Sequence, residues 1–488
     1  MARISELIRK IPVIATRGDV DPEIERIEFD SRKAGPGTLF VAVRGTKSDG
    51  HDFIGSAVAA GAVAVICGKI PGNASDSVRW IATADPAEAL GIVASEFYGN
   101  PSSLLKLTGV TGTNGKTTTA TLLYRMFSAL GYKCGLFSTV CNYIAGRELP
   151  ATHTTPDPVV LNRTLAEMVE EGCDYAFMEV SSHAVDQKRI AGLVYAGGIF
   201  TNLTHDHLDY HLTFDNYLNA KKRFFDSLGP GAFALVNADD RNGKVMIQNC
   251  NARKYYFSVK SMADFRCSVI EEDFGGMHLR IQGRDVWTGF TGDFNASNLL
   301  AVYASSELLG AKSDEILTAL SSMGPVPGRL EKVASKGSIY GIVDYAHTPD
   351  ALLNVISTIN KIRVEGCQLI TVVGAGGDRD RTKRPRMALI SAEGSSKVIL
   401  TSDNPRTEDP EKILDDMEAG ITPELKKKVL RITGRREAIK TAVMLAAEGD
   451  VILVAGKGHE TYQEIKGIRH HFDDREELKA ALDSRYNL

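Results

Sequence analysis

"GVTGTNGKTTT", residues 109 to 119, sits between the apolar, β-type run "LLKLTGV" and a helical stretch. A Gly-rich turn between strand and helix lets backbone amides face phosphate oxygens, and the helix N-terminus adds a favourable field. In that frame Lys116 reaches the terminal phosphates and the Thr117 hydroxyl binds Mg²⁺. The spacing departs from G-x-x-x-x-G-K-[ST] by one position, because Val110 stands five places before Gly115 with Gly109 beside it. The core "TGTNGKTT" keeps every part the chemistry needs. The loop therefore predicts a nucleoside triphosphate held by Gly112, Thr113, Asn114, Gly115, Lys116, Thr117 and Thr118.

Working outward, the runs "KCGLFSTV", "DYAFMEV", "AGGIFTNLT" and "GAFALVNADD" are short β-rich segments separated by helical ones. That rhythm predicts βαβ units and a mainly parallel sheet. Before the loop, "TLFVAVRG" and "AVAVICG" alternate with the helical stretches "IGSAVAAG" and "PAEALGIVASEFYG", a small α/β unit closed by the turn "GNPSS". After it, "MGPVPGRLE" supplies Pro and Gly at a boundary near residue 330. The last section carries the strands "SIYGIVDYAH", "QLITVVGAGGD", "KVILTSDNPR" and "VILVAGKGHE", each ending in a polar or glycine-rich loop. The expected fold is α/β in three domains: residues 1–100, a central P-loop domain over 101–330, and a Rossmann-like domain over 331–488. In open α/β sheets the ligand crevice lies beyond the carboxyl ends of the strands.

A chain of 488 residues is too long for a single core, in agreement with three domains. With 43% hydrophobic and 24% charged residues the composition is that of a soluble globular protein. A net charge of −4 gives no bulk attraction to nucleic acid or to anionic membrane. The stretch "MARISELIRKIPVIATRGD" has no signal-peptide core, and no apolar run is long enough to span a bilayer. The seven cysteines lie far apart without a C-x-x-C pair, which predicts reduced thiols, a cytoplasmic location and neither disulfide framework nor cysteine zinc site.

Three clusters in the central section narrow the use of the triphosphate. Glu179 closes the strand "YAFMEV" ahead of "SSHAVDQKR", well placed as a further Mg²⁺ ligand. "NLTHDHLDYH" gathers His205, His207 and His211 among Asp206 and Asp209; H-x-H alone reads equally as a zinc hydrolase or as surface histidines. In "YLNAKKRFF", Lys221 follows Ala220 on a helix, where the plain reading is an exposed lysine pair.

Together these stretches resemble the Mur ligases, the ATP-dependent amide-forming enzymes of peptidoglycan precursor synthesis. "TGTNGKTT", "MEVSSH", "TNLTHDHLDYH", "YLNAKKRFF", "GDFNASN", "PGRLE" and "DYAHTPDAL" occur in the family's order, and the likeness runs from about residue 30 to about residue 475. The resemblance implies a UDP-sugar domain, a central ATPase and a domain for the incoming amino acid. It implies that Lys116 holds the β/γ-phosphates, that Thr117 and Glu179 hold a first Mg²⁺, and that His207 serves a second. It implies that Lys221 reacts with CO₂ to become a carbamate, whose negative charge favours the nearby Mg²⁺. Asn295, Arg329, Asp344 and His347 match nucleotide-contacting positions, Arg329 being suited to phosphate charge. Ser31, in "FDSRKAGPGTLFVAVRG", matches the uridine-nucleotide site, whose other contacts near "TKSDGHD" are not diagnostic. Thr154, Thr155, Ser181, Gln187 and Arg189 match positions that hold the muramoyl peptide. The implied substrates are ATP, UDP-N-acetylmuramoyl-L-Ala-D-Glu and an amino acid, with no nucleic acid and no membrane insertion, and a monomer is expected.

The amino acid is read from "TSDNPRTEDP", residues 401 to 410, where Pro405 and Pro410 exclude a continuous helix. Taken alone this is a surface turn. Within the family, Asp403, Asn404, Pro405 and Arg406 match the signature of members that add meso-diaminopimelate, a lysine with an additional carboxylate at its far end. Arg406 can clamp that carboxylate with two charge-assisted hydrogen bonds, while Asp403 faces the neighbouring ammonium. Arg379 in "GDRD", and Gly456 and Glu460 in "GKGHE", match the other contacts. L-lysine is the alternative substrate, and it would leave Arg406 without its anion. The rivals from other classes are the zinc hydrolase and a P-loop ATPase that moves a partner.

Overall fold

The computed structural model describes residues 2–45, 48–151, 153–334 and 337–486. Thr46 and Lys47, in the "TKSDGHD" stretch, lie outside the described residues. Three large sheets follow one another along the chain. The first has five strands in the order Val13–Arg17, Arg79–Thr83, Ala62–Cys67, Thr38–Val41, Arg26–Glu28, antiparallel only at the Val13–Arg17 edge. The helix Pro86–Phe97 covers it, started by Pro86 at its first position and capped by the Asp85 side chain.

The central sheet has eleven strands. Its parallel heart runs Cys134–Phe137, Tyr175–Glu179, Lys106–Thr111, Gly197–Phe200, Phe233–Asn237, Arg253–Ser258, Phe265–Glu272. The β-rich runs of the sequence predict the first five of these strands but not Arg253–Ser258 or Phe265–Glu272. The antiparallel additions at each end, Cys141–Ile144 with Arg147–Pro150 and Met277–Ile281 with Arg284–Thr288, are half-buried and lack a continuous apolar run. Strands buried on both faces must be apolar throughout. Tyr175 and Phe177 face the helices Lys116–Ala129 and Asp293–Leu308, whereas Ala176 and Met178 face Pro158–Glu170 and Phe214–Asp226.

The third sheet runs Glu331–Val333, Tyr340–Asp344, Val451–Ala455, Leu369–Val373, Lys397–Leu400, Val429–Arg431, parallel except at its first strand. Register puts Asp344 opposite Ala455, Ala455 opposite Val373, and Val373 opposite Leu400. Four strands thus end on one line, and the loops that follow open from the same edge. All seven cysteines are free thiols. No helix among the described residues is long and apolar enough to cross a membrane.

Candidate functional site

Register also builds the phosphate loop. Glu179 sits opposite Val110 and Phe200 opposite Thr111, so the ends of three neighbouring strands converge where the loop begins. Gly112 (φ 151°) and Gly115 (φ 87°) take backbone conformations that disfavour a side chain. A Cβ on Gly112 would lie 1.9 Å from Thr201 Oγ1, and one on Gly115 would lie 2.4 Å from Asn298 Oδ1. The loop is pinned from outside: Asn114 N donates to Asn202 Oδ1 (2.9 Å), and Asn114 Nδ2 donates to Asp350 Oδ2 (2.9 Å) on the following domain. The helix then starts at Lys116, leaving its first amides free of intrahelical partners.

Two ammonium groups meet at one carbonyl. Lys116 Nζ donates to Gly112 O (2.9 Å) and Thr113 O (2.8 Å), and Lys221 Nζ donates to Gly112 O (2.7 Å). Lys221 is 1% exposed on the helix Phe214–Asp226, so the exposed-pair reading is wrong for it. Its neighbour Lys222 is buried as well and pairs with Asp226. Burial pushes the Lys221 ammonium well below the ordinary lysine range, and the Lys116 cation adds to the shift. Burial also lowers Lys116, against the pull of Glu179 and Asp206. Glu179 accepts from Thr117 Oγ1 (3.0 Å) and from the Thr139 amide (2.7 Å), and Arg329 Nη2 donates to Thr117 Oγ1 (3.1 Å). Glu179, Thr117 and Arg329 therefore form one hydrogen-bonded chain, with Lys116 close enough to feel both Glu179 and Arg329. The Arg329 guanidinium lies over the Tyr345 ring (4.6 Å), and its Nε is buried with no partner among the described residues.

A cavity of about 540 Å³ opens from this group, lined by Thr113 to Thr118, Glu179, His207, Arg329 and Asp344 to His347. Asp344 spends its carboxylate on the amides of Leu330 (2.6 Å) and Ala346 (2.7 Å), so it shapes the wall it lines. Asn295 stands one turn behind: it donates to Thr291 O (2.8 Å), while Asn298 presses against Gly115. Asn298, Asn202 and Asp350 are not among the residues singled out from the sequence, although all three lie inside quoted motifs; two of them hold the loop from other segments of the chain. His207 adopts φ 55°, and its Nε2 lies 3.3 Å from Asp206 Oδ2. Burial lowers His207 to about 3 despite Asp206. His211 instead bonds Ser182 Oγ (3.0 Å), and among the described residues no three His, Cys, Asp or Glu side chains gather as a metal cage. That removes the three-histidine zinc reading. It suits Mg²⁺, which is usually held by one or two carboxylates together with water and substrate phosphates.

Beside the cavity, the Thr155 hydroxyl donates to Glu179 O (2.7 Å) and accepts from the Ser181 amide (3.2 Å). Arg189 donates to Thr155 O (2.9 Å) and to Gln187 Oε1 (2.6 Å). Thr154 accepts from Thr139 Oγ1 (3.0 Å). These five positions thus form one polar shelf continuous with Glu179. Ser31 opens a short 3₁₀ turn, Ser31–Lys33, in the first domain and is not among the residues lining the cavity.

The ends of the third sheet carry the other cluster. Asn404 Nδ2 donates to Glu460 Oε2 (2.7 Å), Lys457 Nζ donates to Asn404 Oδ1 (3.2 Å), and Gln463 Nε2 donates to Asp403 O (2.7 Å). A Cβ on Gly456 (φ 118°) would lie 2.7 Å from Asp403 Oδ2. Arg406 Nη1 donates to Gly377 O (2.7 Å), and neither Arg406 nor Arg379 makes an ion pair among the described residues. The two arginines flank Gly376, where a Cβ would meet Arg406 Nη1 at 3.0 Å and Arg379 Cγ at 3.8 Å. Pro405 sits in the turn, and Pro410 starts the helix Pro410–Glu418 behind the Asp409 cap. Lys457, wholly buried, was missed because a lysine in a glycine loop gives no sign of burial.

Three family profiles cover the chain: "Mur ligase family, catalytic domain" over residues 23–98, "Mur ligase middle domain" over 110–306 and "Mur ligase, glutamate ligase domain" over 328–458. The UDP-N-acetylmuramoyl-L-alanyl-D-glutamate–2,6-diaminopimelate ligase of Phocaeicola vulgatus is 55% identical over 477 residues, covering 98% of this chain and 99% of the relative. The ligase of that name from Geobacillus kaustophilus is 41% identical over 493 residues, covering 99% of this chain and 100% of the relative. A solved structure of a ligase of the same name aligns with TM-score 0.70 at 33% identity, over 99% of both chains. MurF ligase of Thermotoga maritima, solved with ADP, shares the fold with TM-score 0.63 at 19% identity, over 95% of this chain and 98% of that one. The chain belongs to the Mur ligase family.

Proposed function

We propose that the protein is an ATP-dependent ligase joining meso-2,6-diaminopimelate to the D-Glu γ-carboxylate of UDP-N-acetylmuramoyl-L-Ala-D-Glu, in cytoplasmic peptidoglycan precursor synthesis. The observation that carries this reading is the pair of unneutralised guanidiniums, Arg406 and Arg379, at the ends of the third sheet. A half-buried cation with no anionic partner of its own, Arg406, fits an amino acid with a spare carboxylate, and the names of relatives at 54 to 55% identity agree. L-lysine would leave Arg406 without that anion.

In the first half-reaction the D-Glu carboxylate oxygen attacks the γ-phosphorus of ATP. An O–P bond forms, the bond to the β-phosphate oxygen breaks, and ADP leaves from an acyl phosphate. The diaminopimelate amine then attacks the acyl carbon through a tetrahedral intermediate. Phosphate leaves with the C–O pair, the nitrogen loses a proton and an amide remains. Little covalent chemistry falls to the protein, so charge stabilisation and positioning dominate. Lys116 turns from its own loop carbonyls to the phosphates, and Arg329, at the boundary of the central domain, follows the transferring group. Thr155, Ser181, Gln187 and Arg189 hold the peptide of the UDP-linked substrate, whose uridine end meets Ser31. Thr117 and Glu179 would hold one Mg²⁺ and His207 with Lys221 a second, neutralising charge on the phosphoryl oxygens when bound. Lys221 suits that role as a carbamate, because its burial beside Lys116 favours the neutral amine, the form that reacts with CO₂. Residues 1–100, 101–330 and 331–488 are read as the UDP-sugar, ATP and amino-acid domains of a monomer.

The test is phosphate release with ATP, Mg²⁺ and the UDP-dipeptide, adding meso-diaminopimelate, L-lysine or neither. Release that needs both the dipeptide and diaminopimelate, and is weak with lysine, is expected. Equal use of lysine would keep the ligase but remove Arg406 as the selector. Release without amino acid or dipeptide would point to an ATPase that moves a partner.

A further inference from the structure

The two guanidiniums without an ion pair stand on separate segments, and something has to fix their spacing. Arg379 belongs to the loop after Leu369–Val373, and Arg406 to the turn after Lys397–Leu400. Neither segment is relaxed: Asp378 has φ 52° and Arg406 has φ 51°, both left-handed and neither glycine. Such conformations persist only where the surroundings over-determine them.

One carboxylate does most of that work. Glu408 Oε1 accepts from the Asp378 amide (2.6 Å) and Arg384 Nη2 (2.8 Å), and Oε2 accepts from Arg384 Nη1 (3.0 Å) and Arg381 (2.8 Å). Arg384, 0% exposed, also donates to Gly376 O (3.1 Å) and to Asp416 Oδ2 (2.8 Å). The Glu408 amide donates to Pro405 O (3.0 Å), closing the turn that presents Arg406. From its two ends, therefore, one residue grips the Arg406 turn and the Arg379 loop. The backbones already touch: Gly377 N donates to Asn404 O (2.9 Å), and a Cβ on Gly377 would lie 2.0 Å from Pro405 O. A buried arginine needs matching anions, and without Glu408 Arg384 would keep only Asp416, the more exposed of its two carboxylates.

We infer that Glu408, held by the buried Arg384, is a positioning residue that sets the distance between Arg379 and Arg406 and so determines selection of an amino acid with a distal carboxylate. This rests on the ligase reading above. The exposed Arg381 contributes little, because surface ion pairs do.

The test compares wild type, Glu408→Gln and Arg381→Ala in phosphate release at varied meso-diaminopimelate, L-lysine, ATP and UDP-dipeptide. Glu408→Gln keeps the side chain's size but loses its charge and half its acceptor capacity. It is expected to raise KM for diaminopimelate about tenfold and narrow the preference over lysine, with KM for ATP and dipeptide within about twofold. Arg381→Ala is expected to behave as wild type. Thr407→Val, which removes only the exposed bond from Thr407 Oγ1 to Asp378 (2.7 Å), gives a milder shift of the same kind and serves if Glu408→Gln does not fold. An unchanged preference in Glu408→Gln and Thr407→Val, or equal losses toward all substrates, would overturn the inference while leaving the ligase intact. A wild type indifferent to diaminopimelate would overturn both.

Discussion

At the phosphate loop, Gly112, Gly115, Lys116 and Thr117 come from one continuous run that strand, turn and helix deliver, with Asn202, Asp350, Lys221 and Arg329 bracing it from elsewhere in the chain. At the Asp403–Arg406 turn, the cations, carboxylates and glycines come from segments around residues 376–384, 403–408 and 456–464, brought together by the common edge of a parallel sheet. The first site is stiff because it is local. The second is stiff because buried charges cross-link it, and so it can be retuned without touching the first. Damage to the phosphate loop should abolish chemistry for every amino acid, whereas damage to the turn should change which amino acid is used.

The largest effect is expected from Lys116→Met. The substitution keeps the stem but removes a cation aimed at the transferring phosphoryl group, and kcat should fall on the order of 10³-fold. KM for diaminopimelate should stay near that of wild type. Single-turnover phosphate release checks the first point and amino-acid titration the second. A raised KM for diaminopimelate with kcat intact would dissolve the separation between the sites.

Arg406→Ala comes next. It removes the anion partner, and kcat/KM for meso-diaminopimelate should fall roughly 10²-fold, since a site built to pair with a charged group discriminates strongly against the substrate lacking it. Turnover with L-lysine should not fall, and the ratio of the two kcat/KM values is the measurement. Equal losses for both amino acids would mean that Arg406 supports the turn without reading the substrate.

The same contrast explains what could be read from the sequence. Val451–Ala455, and Tyr175–Glu179 up to its terminal carboxylate, are apolar because both faces are covered, so each appears as a bare β run. The phosphate loop is legible because its geometry is a property of a few consecutive residues. The D-N-P-R turn is legible only through resemblance, since Asp, Asn and Pro form turns everywhere. Burial of Lys457 and Arg384 is not legible, because each depends on a partner, Asn404 or Glu408, that only tertiary folding brings near. The edge hairpins around residues 141–150 and 277–288 leave no continuous apolar run, because only one face of each is buried: Met277, Leu279 and Ile281 face the core while the residues between them do not.

The smallest effect separates the two regions by pH. His347 lines the cavity on the phosphate side and His459 follows the glycines of the third sheet's edge; burial lowers them to about 4 and about 3, from an ordinary 6.5. Neighbouring cations add to both shifts, Lys383 for His347 and Arg329 for His459. Below about pH 6.5 the unfolded chain binds protons that the folded one refuses, so stability falls as pH falls from 6.5 toward 4 and is flat above. Each ring keeps some solvent contact, so each should contribute on the order of 1 kcal/mol to that loss at pH 5. Urea unfolding at pH 7 and pH 5 measures it, and His347→Gln and His459→Gln should each flatten the dependence in part. If the two effects add, the histidines report on independent sites. If either variant alone removes the whole dependence, phosphate loop and selector turn share a single electrostatic environment, and they cannot be tuned separately.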